Sequence, residues 1–274
     1  MKTDIRWGIL GLGNIAHTFA SDLNKSTGAK IQAVASRSQQ KAERFGEQYG
    51  AVSCYDSYDK LAADPNVDVI YIATPHSFHF EHSQLCLVQG KHVLCEKPMG
   101  MNEQQVSSLT QVARSKARFL MEGIWTRFIP ATVKMLELIQ SGRIGDIITV
   151  KADFGFKADF DPEKRLFNKD LGGGALLDIG LYPVYLSLLL LGKPSDIKAT
   201  ARFSSTGADV STYMLFNYPD QAKAFLECSF ESNTPTEASI YGTKGQIKIH
   251  SRFHHSQKIS LNRYGEKEEI FEIP

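Results

Sequence analysis

Lys97 stands between Glu96 and Pro98 at the end of the apolar run His92-Val93-Leu94-Cys95. An ammonium group at the lip of a core strand, with the chain fixed behind it by proline, is a candidate proton carrier. The same segment also suits a plain surface turn with an adventitious ion pair. Farther along, Asp178 and Tyr182 are four residues apart in the apolar stretch "GGGALLDIGLYPVY". On a helix that spacing puts both side chains on one face, and a carboxylate there is costly unless it is partnered. Each also has a structural explanation: Asp178 as a helix-start residue satisfied by backbone N–H groups, Tyr182 as a core tyrosine.

The elements that position these residues alternate in the first half. "IRWGIL" (5–10), "IQAVAS" (31–36), "VDVIYIAT" (67–74), 92–95 and 118–122 read as strands, with helices at 14–24, 39–49, 79–89 and 103–115. This alternation predicts a doubly wound parallel sheet, with ligands beyond the carboxyl ends of its strands. The first strand runs into Gly11-Leu12-Gly13-Asn14-Ile15-Ala16, a GxGxxA pattern. Gly11 permits the tight turn, Gly13 admits a pyrophosphate, and the helix start at Asn14 and Ile15 offers N–H groups to it. A carboxylate about 20 residues on would select NAD. Ser36-Arg37-Ser38 stands there instead, with Lys41 a turn later, and favours the 2′-phosphate of NADP(H) over NAD(H). Ser38 as the cap of the next helix is compatible with that assignment.

The alternation stops after "FLMEGIWTRF". A helix (129–141), a long strand "DIITVKADFGF" and an apolar helix (175–191) precede strand-like runs over 196–273, punctuated by turn residues. We therefore expect two domains. Residues 1–123 form a Rossmann unit, and residues 124–274 an α+β unit with a mainly antiparallel open sheet. In the long strand Ile148, Val150, Ala152, Phe154 and Phe156 share one face. Trp125, Arg127, Phe154 and Phe156 are candidate walls of a substrate cleft, and Phe154 and Phe156 are equally suited to core packing. Arg165 is a candidate for cofactor phosphate or substrate. His76, His79 and His82 recur every three residues, which fans the rings around a helix, and no matching ligand set follows, so no metal is expected. His254-His255 reads as an exposed strand end.

A formal charge of +1 gives no field that would attract nucleic acid or anionic membrane. The run "YLSLLLLG" is too short to cross a bilayer. Cys54, Cys86, Cys95 and Cys228 are scattered, as free thiols of a cytoplasmic protein would be.

Taken together, "GILGLGNIA", "ASRS", "IATPHSFHFE", "LCEKPM", "MEGIWTRFIP" and "GGGALLDIGLYPV" resemble the Gfo/Idh/MocA family of nicotinamide-dependent oxidoreductases over nearly the whole chain. Within it, the likeness is greatest to the branch of dimeric dihydrodiol dehydrogenases and NADP-dependent xylose dehydrogenases. The resemblance implies an enzyme that moves a hydride between NADP(H) and a secondary alcohol or carbonyl of a sugar or cyclic diol. It implies that Lys97 faces the nicotinamide, on a Lys97–Pro98 bond that is often cis, and that Asp178 and Tyr182 complete the site. The alcohol proton then goes to Lys97 itself, or to Tyr182 with Lys97 easing its ionisation. Thr74, Pro75 and His76 form the turn over the cofactor, His79 lies near it or caps the helix, and Glu96 binds ribose or backbone. A homodimer through the C-terminal sheet is implied. Members continue past "EEIFEIP" with a last helix and strand, so the chain reads as C-terminally shortened, at the outer wall of the cleft and the dimer surface. Two other activities use the same cofactor residues: a catalytically silent NADP-binding sensor or regulator, and an imine or biliverdin-type reductase.

Overall fold

A computed structural model describes residues 4–273, which divide into two compact units, the first ending at Ile124 and the second beginning at Trp125. The first unit is built from β1 (Ile5–Leu10), α1 (Asn14–Leu23), β2 (Ala29–Ala35), α2 (Gln39–Tyr49), β3 (Ser53–Tyr55) and α3 (Tyr58–Ala63). It continues with β4 (Val69–Ile72), α4 (His79–Val88), β5 (His92–Cys95), α5 (Glu103–Ser115) and β6 (Leu120–Glu122). The sheet order is β3-β2-β1-β4-β5-β6, every pair parallel. The order reverses between β1 and β4, so the ends of these two strands open the ligand crevice. Ile9, Val34 and Tyr71 pack on one face of the sheet and Leu10, Ile70, Ile72 and Val93 on the other, so its central strands bury apolar side chains on both faces. The β3–α3 pair is absent from the sequence expectation: three half-buried strand residues carry no period to read.

The second unit holds α6 (Pro130–Gln140), β7 (Ile147–Gly155), α7 (Leu181–Leu191) and strands β8 (Asp196–Phe203), β9 (Asp209–Asn217), β10 (Lys223–Ser229), β11 (Ala238–Gly242), β12 (Gly245–Ile249), β13 (Lys258–Arg263) and β14 (Glu269–Glu272). Its eight strands run β14-β13-β12-β11-β7-β10-β9-β8, antiparallel except for β7 beside β10. Met135, Leu138, Tyr182 and Leu186 of α6 and α7 share one core with Val150, Ala152, Leu226, Ile240 and Ile247 of the sheet. The opposite face bears Lys151, Tyr213, Phe225 and Glu227 around a shallow groove of about 660 Å³.

Two expectations change here. Ile148 was placed on the inner face by alternation, yet it is 50% exposed. A bulge opposite Tyr241 and Gly242 makes Ile148 the extra residue and turns it out. The helix over 175–191 is not regular either. Leu176–Gly180 is a π-helical turn, and α7 begins only at Leu181. Pro183, with no N–H, cannot continue a regular ladder into that turn. By length and composition the helical stretch Lys169–Leu191 would suffice to cross a membrane, but half of its apolar window is buried inside the protein.

Candidate functional site

Each unit carries one set of the implicated residues. In the first, Gly11 has φ +88°, and a Cβ there would come within 2.8 Å of Thr74 Cγ2 and 3.0 Å of the Ala73 backbone. Only glycine fits where the β1 and β4 ends meet. Gly13 is the extended N-cap of α1, where no side chain caps the helix. A Cβ on Gly13 would meet nothing within 4 Å, so the space over its backbone is open to a ligand. Asn14 and Ile15 are exposed beside it, and Ala16 is fully buried, holding α1 against the sheet. An uncapped helix start over open space fits a pyrophosphate.

After β2, Ser36 is buried and its Oγ accepts from Ser38 N at 3.3 Å, while Ser38 Oγ accepts from Lys41 N at 3.4 Å. Both hydroxyls therefore keep their own hydrogens to donate. Arg37 is exposed, and its charge is felt at Tyr58 and His82. His82 lies 3.0 Å from Thr74 Oγ1 and stacks on Phe78, and burial, with Arg37 adding to it, holds His82 below the ordinary imidazole range. The turn beyond β4 thus runs Thr74, Pro75 (exposed) and His76 (buried) at the mouth of the crevice.

His79 lies between the turns that follow β4 and β5. It is fully buried, with Nδ1 2.7 Å from Pro98 O and Nε2 2.7 Å from Thr74 O. Its ring therefore braces the turn after β4 against the turn after β5, and Phe78 occupies the N-cap position of α4. Glu96 is likewise committed inside the unit. Its Oε1 accepts from the Tyr71 hydroxyl at 2.5 Å and its Oε2 from Lys97 N at 3.3 Å. Burial and the Glu96 charge push the Tyr71 phenol far up, so it stays a donor. Each carboxylate oxygen keeps a further acceptor position beyond these contacts. Lys97 follows, half-buried, with a cis bond to Pro98. Cys95, one residue before Glu96, is pushed up to about 12 by burial, and its thiol is a core side chain.

In the second unit Tyr182 is 5% exposed and surrounded by rings. Trp125 Nε1 donates to its hydroxyl oxygen at 3.3 Å. The Phe154 ring centroid lies 5.6 Å away and that of His254 5.0 Å. His254 stacks on Phe154 at 4.5 Å, and His255 stacks on Trp125 at 5.3 Å. These two histidines are the residues that sequence reasoning missed. The short 3-10 turn Phe253–His255 between β12 and β13 carries them in, and a polar pair between strands gave no sign of it. Phe156 leaves the candidate set, because it packs on Phe230 in the core. Arg127 is exposed, and its charge acts on Tyr185.

Asp178 is 6% exposed and receives both arms of Arg165, Nη1 at 2.8 Å and Nη2 at 3.3 Å. Arg165, expected on phosphate or substrate, is thus committed to this carboxylate as a bidentate partner. The helix start is satisfied by Asp209, whose Oδ2 accepts from Leu176 N at 2.8 Å. The glycines before it allow the Arg165 loop to close in: a Cβ on Gly173 would lie 2.8 Å from both Arg165 O and Asn168 O.

Comparison with known proteins identifies the family of both units. Residues 5–124 match an oxidoreductase family with an NAD-binding Rossmann fold, and residues 132–248 match the GFO/IDH/MocA C-terminal domain. The chain is 41% identical over 249 residues to mouse (Mus musculus) trans-1,2-dihydrobenzene-1,2-diol dehydrogenase, covering 89% of this chain and 74% of the relative. A 3-ketoreductase from Actinomadura kijaniata, solved with NADP and TDP-benzene, superimposes with a TM-score of 0.87 at 27% identity, over 99% of this chain and 85% of that one. An aldose-aldose oxidoreductase from Caulobacter crescentus, solved with glycerol, gives 0.90 at 26% identity, over 98% and 84%. With an NAD(P)-binding Rossmann unit followed by the family's own C-terminal domain, this chain belongs to the Gfo/Idh/MocA family of oxidoreductases.

Proposed function

We propose that the enzyme moves a hydride between NADP(H) and a secondary alcohol or carbonyl of a cyclic diol or sugar, with Lys97 and Tyr182 as the proton-transfer pair. The observation that carries this is the setting of Tyr182, a largely buried phenol walled by Trp125, Phe154 and His254. Such walls accept a ring and offer few polar competitors for it. The names of the mouse diol dehydrogenase and the bacterial ketoreductase support the same substrate class.

In the oxidative direction the substrate C–H bond breaks with its electron pair, the O–H bond loses its proton, and a C=O bond forms. Bound NADP supplies the hydride acceptor, as NADPH supplies the donor in reduction. Tyr182 or Lys97 takes the hydroxyl proton and returns it when a carbonyl is reduced. Asp178, paired with Arg165 in the turn that leads into α7, orients the substrate hydroxyl or the lysine. Gly13 and the α1 start receive the pyrophosphate, and Ser36, Arg37 and Ser38 receive the 2′-phosphate.

The test is NADPH formation with a panel of trans-cyclic diols, pentoses and hexoses, for wild type and Tyr182→Phe. We expect turnover on at least one class, reduced about 10²-fold or more in the variant. Wild-type silence on every substrate despite tight NADPH binding would replace this assignment with the sensor. We further propose a homodimer through the open face of the C-terminal sheet, where Tyr213 and Phe225 are each nearly half exposed among charges of both signs. A single monomeric boundary in sedimentation at micromolar concentration would remove that proposal.

A further inference from the structure

Trp125 has a second relation to the chemistry besides lining a pocket. An indole N–H only donates, so in its 3.3 Å contact the Tyr182 oxygen must accept. A phenolate gains more from such a donor than a phenol does.

The indole is held for this task from two sides. Its face stacks on His255 at 5.3 Å and 28°. Thr126 Oγ1, on the next residue, donates to His254 O at 2.8 Å, which fastens the Trp125–Phe128 turn to the histidine turn. Burial, and then Arg252, hold His255 below the ordinary imidazole range, so it meets the indole as a neutral ring at pH 7.

Charged and titratable groups of the second unit flank Tyr182 from several elements. His254 and His255 come from the turn after β12, with Arg252 behind them. Asp178 with Arg165 lies in the preceding π turn, and Arg127 acts on Tyr185. β7 adds the apolar Phe154, and Cys228 of β10 lies under Gly180.

We propose that Trp125 is a positioning residue for Tyr182, its indole N–H orienting the phenolic oxygen and favouring the form that accepts the substrate's proton. This rests on the proton role given to Tyr182 above.

The experiment is Trp125→Phe, which keeps an aromatic ring and removes the donor. Ionisation of Tyr182 is read from tyrosinate absorbance, as the difference between each protein and the same protein carrying Tyr182→Phe. The expected result is a Tyr182 titration about one pH unit higher in Trp125→Phe. The pH at which oxidation levels off should move up by the same amount, and kcat at neutral pH should fall about tenfold with less change in KM. A raised KM with an unmoved titration would overturn the proposal and leave Trp125 as a pocket wall. If Trp125→Phe does not fold, His255→Ala frees the indole plane and should raise the titration by a smaller amount. No shift there counts equally against the proposal. The titration needs no turnover, so it stands apart from the Tyr182→Phe activity test, whose failure would overturn the proton role alone.

Discussion

Replacing Lys97 with Met is expected to lower kcat about 10³-fold while leaving the NADPH dissociation constant within a few-fold of wild type. The size of the effect follows from how firmly this stretch of backbone is held. Lys97 N donates to Glu96, whose other oxygen is occupied by Tyr71. Pro98 O is braced by His79, and Met99 N donates to Glu122 Oε1 at 2.7 Å. Methionine keeps much of the lysine stem and its packing but has neither charge nor proton. Stopped-flow oxidation with NADP⁺ measures the first quantity and quenching of NADPH fluorescence the second. Activity within tenfold of wild type would take Lys97 out of the chemistry. Lys97→Arg then divides the two proton routes. Arginine stays charged throughout the accessible pH range, so it can favour a Tyr182 phenolate but cannot itself take the proton. Activity in Lys97→Arg well above that of Lys97→Met assigns the proton to Tyr182, and equal loss assigns it to the lysine.

Residues whose role is written in the backbone were legible before the structure was. Gly11 cannot be replaced at φ +88° against Thr74, and Ala16 must be small where α1 meets the sheet. Both constraints leave a residue type at a fixed spacing. Residues whose role comes from a partner far along the chain were not legible. The fork of Arg165 on Asp178 joins a loop to a π turn, and neither position shows the other in its local pattern. His254 and His255 reach Tyr182 and Trp125 only because the turn between β12 and β13 folds back over α7. His79 is a related case: its burial, which sends both nitrogens to main-chain carbonyls, has no sequence signature. The irregular helix start is an intermediate case. Pro183 was visible, but the hydrogen-bond register it interrupts was not.

Arg37→Asp is expected to invert cofactor preference, changing the NADP⁺/NAD⁺ ratio of kcat/KM by about 10³. The loop after β2 has little else that could do this. Ser36 and Ser38 spend one acceptor each on the turn itself and retain one donor each, which a phosphate oxygen would accept. Arg37 is the exposed cation of the three, and the loop holds no carboxylate to bind ribose hydroxyls. Aspartate removes a charge-assisted bond to the 2′-phosphate and sets a negative charge against it, while giving NAD⁺ the acceptor that it lacks. Loss of NADP⁺ efficiency should therefore exceed the gain for NAD⁺, with most of both effects in KM because neither group touches the reacting atoms. Lys41→Ala tests the alternative that any nearby cation suffices. Its backbone N–H still donates to Ser38 Oγ, so the turn is retained. A change much below that of Arg37→Asp assigns the discrimination to the guanidinium. An equal change would instead mean that the phosphate is read by the summed charge at the start of α2, and that Arg37 has no geometric role of its own.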